Sequence, residues 1–239
     1  MENKWYNGSS MPKGQTEMKI IARIHNDFKD KFGIPRQSGL TEELISRIVF
    51  EPEYRNPDAL RGIEGFSHLW LIWQFSEAIR EVWSPTVRPP RLGGNRRVGV
   101  FATRSPYRPN PIGLSSVRLL SVEQTSEGTT LLVGGADLMD GTPIYDIKPY
   151  VAFSDSHPDA ISGFADEVKN YSLKVDICKE LLTKIHISKQ KSLITILEND
   201  PRPSYQNDPE REYGMLFSDY EVFFKVNGDI LTVTKINNK

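Results

Sequence analysis

A single cysteine, Cys178, excludes an intramolecular disulfide framework and a cysteine-based zinc site. Its flanks, KVDICKELL, read as those of a small buried hydrophobe. The four histidines, His25, His68, His157 and His186, are scattered and show neither HExxH nor i,i+4 spacing, so no metal is expected. The longest apolar run, HLWLIWQF, is far short of the roughly 20 residues a membrane-spanning helix needs. The opening stretch MENKWYNGSSMPKGQTE has no apolar core of a secretion signal. A soluble, cytoplasmic protein without membrane contact is therefore expected. GxxxxGK[ST], GxGxxG between a strand and a helix, and GxSxG are all missing, which removes support for P-loop hydrolysis, a Rossmann cofactor site and an α/β-hydrolase elbow.

Acid is missing too, but only locally. From Val82 to Val122 there is no Asp or Glu, while Arg88, Arg91, Arg96, Arg97, Arg104, Arg108 and Arg118 all fall in that window. The chain as a whole has a net charge of −1, so this segment stands out against a nearly neutral background. All seven cations are Arg, the side chain that grips phosphate and carboxylate in a fork and stacks on bases. Proline and glycine hold several of them in an extended, turn-rich stretch instead of on a helix face. The alternatives are an anion-binding surface, a solvated charged face, or ion pairs with acids elsewhere.

The 239 residues are 38% hydrophobic and 26% charged, an ordinary globular composition for one large domain or a domain plus a smaller one. EMKIIARIHNDF, RIVFEPEY, FSHLWLIWQF, NRRVGVFAT, IGLSSVRLLSVEQ and TTLLVGGADL read as strands, the third of them buried on both faces. NPDALRG reads as one short helix, with Asn56 as N-cap, Pro57 at the first helical position and Gly62 at the end. Many short strands bounded by turn signals predict a mainly β fold, a barrel or sandwich. SDSHPDAISGFADE is a polar linker. Beyond it YSLKVDICKELLTKI and KSLITILEND favour helix, although the first could begin as a strand. YGMLFSDYEVFFKV-NGD-ILTVTKI is a hairpin with its positive-φ turn at Asn227-Gly228. The expected domains are a leader over residues 1–16, a β unit over 17–160 and a small α+β unit over 165–239.

Three segments combine stiff turns with polar donors: KFGIPRQSGL, GVFATRSPYRPNPIGLS and LMDGTPIYDIKPY. In the last, the turn Asp140-Gly141-Thr142-Pro143 is expected to leave backbone N–H groups facing outward for a ligand. Rigid loops with fixed donors suit a small charged ligand because little order is lost on binding. A fourth segment, ENDPRPSY, places Arg202 between prolines beside Tyr205, a pairing suited to phosphate and to an unstacked base.

These segments, together with RGIEGFSHLWLI, PTVRPPRLGGNRRVGVFATRS and DPRPSY, resemble in order the successive signatures of the TrmO/TsaA-like family of tRNA methyltransferases. The resemblance runs from about Glu17 to Val226. It implies an N-terminal β-barrel that binds S-adenosylmethionine, a small C-terminal domain, and a homodimer with the cofactor near the subunit interface. It also implies methyl transfer to N6 of N6-threonylcarbamoyladenosine beside the anticodon of a threonine tRNA. A different class, a barrel that senses S-adenosylmethionine and binds RNA without turnover, is the rival reading.

Carried over position by position, the resemblance implies cofactor contacts at Arg36, Gln37, Ser38, Arg104, Leu114, Gly141, Thr142, Pro143 and Ile144. Ser76-Glu77 stand where relatives often have His-Gln, and join this cofactor set. A urea-type N–H is a poor nucleophile until its proton leaves, so a carboxylate is useful. Asp140 and Asp146 are the acids nearest the cofactor turn. Arg91, Arg96 and Arg108 are the candidates for tRNA phosphate, and Arg202 with Tyr205 for the anticodon region.

Overall fold

Leu69, Leu71 and Trp73 point inward from β3 (His68–Gln74), and His68, Trp70, Ile72 and Gln74 are only half-buried. This period of two is that of a strand with one face on a core, not of one buried on both faces. The second face is half covered: the Trp70 indole packs on Tyr150 and donates at 2.9 Å to Asp155, at the end of α1 (Ala152–Asp155). In the computed structural model, which describes residues 17–29, 32–35, 37–39, 43–89, 96–168, 171–202 and 208–239, β3 is one member of a ring.

The ring contains β1 (Ala22–His25), β2 (Ile45–Phe50), β3, β6 (Ile112–Thr125), β7 (Gly128–Gly134) and β8 (Pro143–Pro149). All its pairings are antiparallel. The order β1-β2-β7-β6-β3-β8 closes through Ala22↔Ile144 and Arg23↔Pro143, making a closed barrel. Its interior is filled by Ala22, Ile24, Ile48, Leu69, Leu71, Val117, Leu131, Val133, Leu138 and Ile144. Closure gives every strand of the ring a neighbour on both sides, β1 and β8 meeting over two residue pairs. Trp73 lies across Gly113, where an added Cβ would stand 2.2 Å from the indole.

Several local expectations change. NRRVGVFAT is not a barrel strand. Only β5 (Val98–Gly99) is extended, paired with β4 (Thr86–Val87), and a 3-10 turn over Val100–Ala102 follows. Of that turn only Val100 is buried, and Phe101 is 72% exposed, so the segment has no apolar face to seat in a core. The first expected strand shrinks to β1. NPDALRG forms a 3-10 turn over Pro57–Leu60, with Asn56 capping Asp58 N–H as its sequence indicates.

In the C-terminal part, β10 (Tyr213–Phe217), β11 (Tyr220–Asn227), β12 (Ile230–Asn238) and β9 (Lys174–Asp176) form a sheet in the order β10-β11-β12-β9. The strand start of YSLKV is β9, and α2 (Lys179–Leu182) follows it. Cys178 is the N-cap of α2 and is exposed, not buried. Asn227 pairs with Ile230, so the hairpin loop is Gly228-Asp229 and the positive φ sits on Gly228. α3 (Ile187–Glu198) packs Leu193, Ile196 and Leu197 onto this sheet.

The second core does not stop at the expected linker. Phe28 and Leu44 are buried in it, with Phe32 and Ile34 packed alongside. Gly33, at φ +95°, lets this loop pass Met215, whose Cε would lie 2.8 Å from an added Cβ. Asp27 accepts from Lys189 at 2.8 Å and from Ser218 N–H through its carbonyl at 3.0 Å. Phe28, Phe32, Ile34 and Leu44, all between β1 and β2, therefore pack against the C-terminal sheet. Among the described residues no helix is long and apolar enough to cross a membrane.

Candidate functional site

The order of the ring gathers one end of β3, β6 and β8. Trp73 pairs with Gly113 on one side and Ile144 on the other, and Gln74 pairs with Ile112. Hence the exposed 3-10 turn Ser76–Ala78, the exposed Leu114, and Thr142–Ile144 lie around one mouth of the barrel. Phe75 N–H donates to Pro111 C=O at 2.8 Å, which holds that turn against the start of β6.

The loop Gln37–Gly39 docks on this end. Ser116 N–H donates to Ser38 Oγ at 3.2 Å, and Gly39 N–H to Gly135 C=O at 2.9 Å. Arg104 reaches it from the 98–108 segment: its Nη1 donates to Gln37 Oε1 at 2.7 Å. Thus Gln37, Ser38, Arg104 and Leu114, spread over more than seventy positions of sequence, come together around the start of β6.

Beneath the loop lies a group the sequence reading missed. Trp73 Nε1 donates to Ser115 Oγ at 2.9 Å, and Ser115 Oγ donates to Asp137 Oδ1 at 2.5 Å. Burial is the dominant influence on Asp137 and pushes its carboxyl above the usual range. The Ser115 hydroxyl, the Arg104 charge and the Ser38 N–H oppose this without cancelling it. The one available signal was an acid inside the apolar run LLVGGADL, which reads as strand.

The turn after β7 does not behave as expected. Asp140 N–H donates to Phe28 C=O, Gly141 N–H to Ile24 C=O and Thr142 N–H to Met139 C=O, at 2.8, 2.8 and 3.1 Å. These donors are consumed by the fold, so they are not aimed at a ligand. Thr142 is buried, with its hydroxyl also on Met139 C=O. Arg23 Nη1 donates to Gly141 C=O at 3.1 Å, which fixes the turn from the other side.

Neither candidate base stands free. Asp140 accepts from Lys29 Nζ at 2.7 Å and Asn26 N–H at 3.1 Å, with His25 Nδ1 at 3.3 Å. Burial works against its charge, but Lys29, Asn26 and His25 outweigh it and hold the carboxyl below the usual range. Asp146 pairs with Lys148 at 2.9 Å and accepts its neighbour Ile147 N–H. Held in its charged form, Asp140 is a poor proton acceptor, and both residues have contacts that fix their turn and strand.

The arginines divide sharply. Arg88, Arg96, Arg97 and Arg104 are exposed and Arg108 is half-buried. Among the described residues none of these five forms an ion pair with a carboxylate; Arg97 bonds Thr86 Oγ1, Arg104 bonds Gln37 and Arg108 bonds Thr103 C=O. The interior ion-pair explanation for this segment is excluded for them. Arg202 is the reverse. It is 6% exposed and binds Asp200 in a fork, at 2.9 and 3.0 Å, with Tyr171 also on that carboxylate at 2.7 Å. Arg202, expected at the anticodon region, thus stands buried in an ion pair with Asp200. Arg36, Arg91 and Tyr205 lie outside the described residues. No group of three or more metal-ligating side chains occurs among the described residues.

Known proteins resemble this chain along most of its length. Residues 23–156 match the family model of the tRNA-methyltransferase O N-terminal domain, and residues 170–239 match that of the TrmO C-terminal domain. A tRNA (adenine(37)-N6)-methyltransferase of Escherichia coli K12 is 42% identical over 218 residues, covering 88% of this chain and 93% of the relative. A putative S-adenosylmethionine-dependent methyltransferase of Pseudomonas aeruginosa is 40% identical over 84% of this chain and 89% of its own. The crystal structure of TrmO from P. aeruginosa superimposes with a TM-score of 0.77 at 31% identity, covering 96% of this chain and all of that one. Two family models in tandem, a barrel with its C-terminal sheet, and near full-length identity above 40% all lead to one statement: this chain belongs to the tRNA-methyltransferase O family.

Proposed function

We propose that this chain methylates N6 of N6-threonylcarbamoyladenosine next to the anticodon of threonine tRNA, using S-adenosylmethionine held at the barrel mouth. The single observation that carries the reading is the convergence of the Gln37–Gly39 loop, Arg104 and the Ser115–Asp137 pair at one end of the ring. Relatives covering most of this chain are named tRNA (adenine(37)-N6)-methyltransferases, which supports the coarser activity, S-adenosylmethionine-dependent methylation of a tRNA adenine.

The donor set fits that cofactor. Arg104 offers a guanidinium with no ion-paired carboxylate to an amino-acid carboxylate, and Gln37 a polar amide beside it. Exposed Leu114 offers an apolar surface for a ring. Ser76, Glu77 and Gly141–Ile144 stand around the same mouth, and Arg36 completes the set by family resemblance. When bound, S-adenosylmethionine supplies an electrophilic methyl on a sulfonium that carries its own leaving group. The protein's task is then mainly alignment. Asp137 steadies Arg104 and Ser38 from below; Trp73 and Ser115 fix Asp137. Arg96 and Arg108, with Arg91 by resemblance, take tRNA phosphate. The chain divides functionally into the cofactor barrel at 17–160 and the C-terminal unit at 165–239, acts as a homodimer and works in the cytoplasm.

Incubation of the purified protein with methyl-labelled S-adenosylmethionine and threonylcarbamoylated threonine tRNA tests this. Label in the modified nucleoside is the expected result. Bound cofactor with no label in RNA would instead favour a sensor that binds RNA without turnover.

A further inference from the structure

We infer that the exposed ring pair of Trp83 and Phe101 is a stacking platform for an unpaired base of the RNA substrate. This rests on the reading of the chain as a tRNA-modifying enzyme, and adds the surface that receives a nucleotide of the anticodon loop. Trp83 is 46% and Phe101 72% exposed, and their ring centroids are 6.0 Å apart at 32°. Ile79 and Val82 extend the same segment into solvent at 62% and 79%. Large apolar side chains concentrated on so short a stretch mark a surface that binds something.

The platform is rigid. β4 and β5 pair as Thr86↔Gly99 and Val87↔Val98, and Val100 N–H donates to Pro85 C=O at 2.9 Å. That ladder clamps the chain just after Trp83 to the chain just before Phe101. Beside it, Arg80 lies 3.7 Å above the Tyr107 ring. A cleft of about 140 Å³ lies between Arg80, Trp83, Tyr107 and Arg108, with Glu81 as its one acid. Phe101, Arg104, Tyr107 and Arg108 lie on one continuous segment, and Arg104 touches the Gln37 loop. The rings are therefore tied through one short stretch to the barrel mouth.

The charge selects the occupant. The arginines flanking these rings have no ion-paired carboxylate among the described residues, and no acid occurs from Val82 to Val122. The charge of the segment is of one sign, so an anionic partner suits it. Single-stranded RNA brings what the patch lacks, phosphate for arginine and a π-face for each ring.

The test uses the full chain, an anticodon stem–loop RNA, and the variants Trp83→Ala, Phe101→Ala and Trp83→Phe. Each alanine variant is expected to weaken RNA binding by about five- to a hundredfold, the range for loss of one stacked base. S-adenosylmethionine affinity and the slope of log K against log salt should stay unchanged, because no phosphate contact is removed. Trp83→Phe should recover most of the loss. If the wild type binds the RNA and both alanine variants bind it equally well, the platform does not exist. If those variants instead sediment as a smaller species with RNA affinity intact, the face is a contact between copies. A wild type that binds no RNA at all would overturn the tRNA reading itself.

Discussion

The hydroxyl of Ser115 donates to the carboxylate of Asp137 at 2.5 Å while accepting from the Trp73 indole at 2.9 Å. This chain runs from the barrel core to the underside of the loop that carries Gln37 and Ser38. It supports a carboxyl whose ionised form burial disfavours, next to an arginine whose charge it complements.

Asp137→Asn keeps the acceptor for Ser115 and removes the charge. The folded-state pKa of Asp137 is raised above its ordinary value of 3.8. Between those two values the unfolded chain has lost its proton and the native state has kept it, so stability falls as pH rises through that window. Denaturant melts of the variant should lack that decline, while calorimetry should show weaker cofactor binding because Arg104 and the Ser38 loop lose the carboxylate that positions them. A variant with the wild-type pH slope and cofactor affinity would sink the role given to Asp137.

Arg104→Ala should weaken S-adenosylmethionine binding by roughly ten- to a hundredfold, the scale of hydrogen bonds to a charged group. Gln37→Ala should cost less, since it leaves the guanidinium in place but unrestrained. Titration calorimetry on both variants orders them.

Asp200→Asn should destabilise the C-terminal unit by about 3–5 kcal/mol, because it leaves the Arg202 guanidinium buried without its charge partner. Burial opposes the ionised Asp200, but Arg202 and Tyr171 outweigh it and hold its carboxyl below the usual value. Its contribution is therefore present above the unfolded pKa and is lost as pH falls through the lower folded one. Acid unfolding of the variant should accordingly be less steep than that of the wild type. Arg202→Ala, by the same reasoning, should lower thermal stability and leave the salt dependence of tRNA binding unchanged.

Gly113→Ala should disturb the barrel mouth. The new methyl would meet Trp73 ring atoms at 2.2–2.6 Å, so the indole must move and its bond to Ser115 is broken. Overpacking of this kind costs about 1–3 kcal/mol. A fall in thermal midpoint with a change in near-ultraviolet circular dichroism from the displaced tryptophan is the expected readout.

Binding of tRNA should weaken steeply with salt, as phosphate contacts require. Arg96→Ala and Arg108→Ala should each lower the slope of log K against log salt by about 0.7–0.9. Filter binding at several salt concentrations measures it.

Much of the barrel was legible because strand signals are local. Alternation in IGLSSVRLLSVEQ and the Asn56-Pro57 start signal are written in neighbouring residues, and both elements form. NRRVGVFAT misled because its β-branched residues have no partner beyond Thr86 and Val87. Arg202 misled for another reason. Arginine between prolines reads as an exposed fork, but Asp200 two positions away captures it, and the C-terminal packing buries both.

By itself, the sequence determined the succession of strands, the family signatures, and a segment of arginine free of acid, because patterning, turn chemistry and charge are properties of neighbouring residues. Tertiary structure alone decided which polar groups meet. Gln37 finds Arg104 across 67 positions, and Gly141 finds Arg23 across 118. The N–H groups of the Asp140–Thr142 turn are spent inside the fold, and Asp137 sits beneath the Gln37–Gly39 loop. Such partners are set by how a closed ring of strands brings distant backbone together, and no local period encodes that closure.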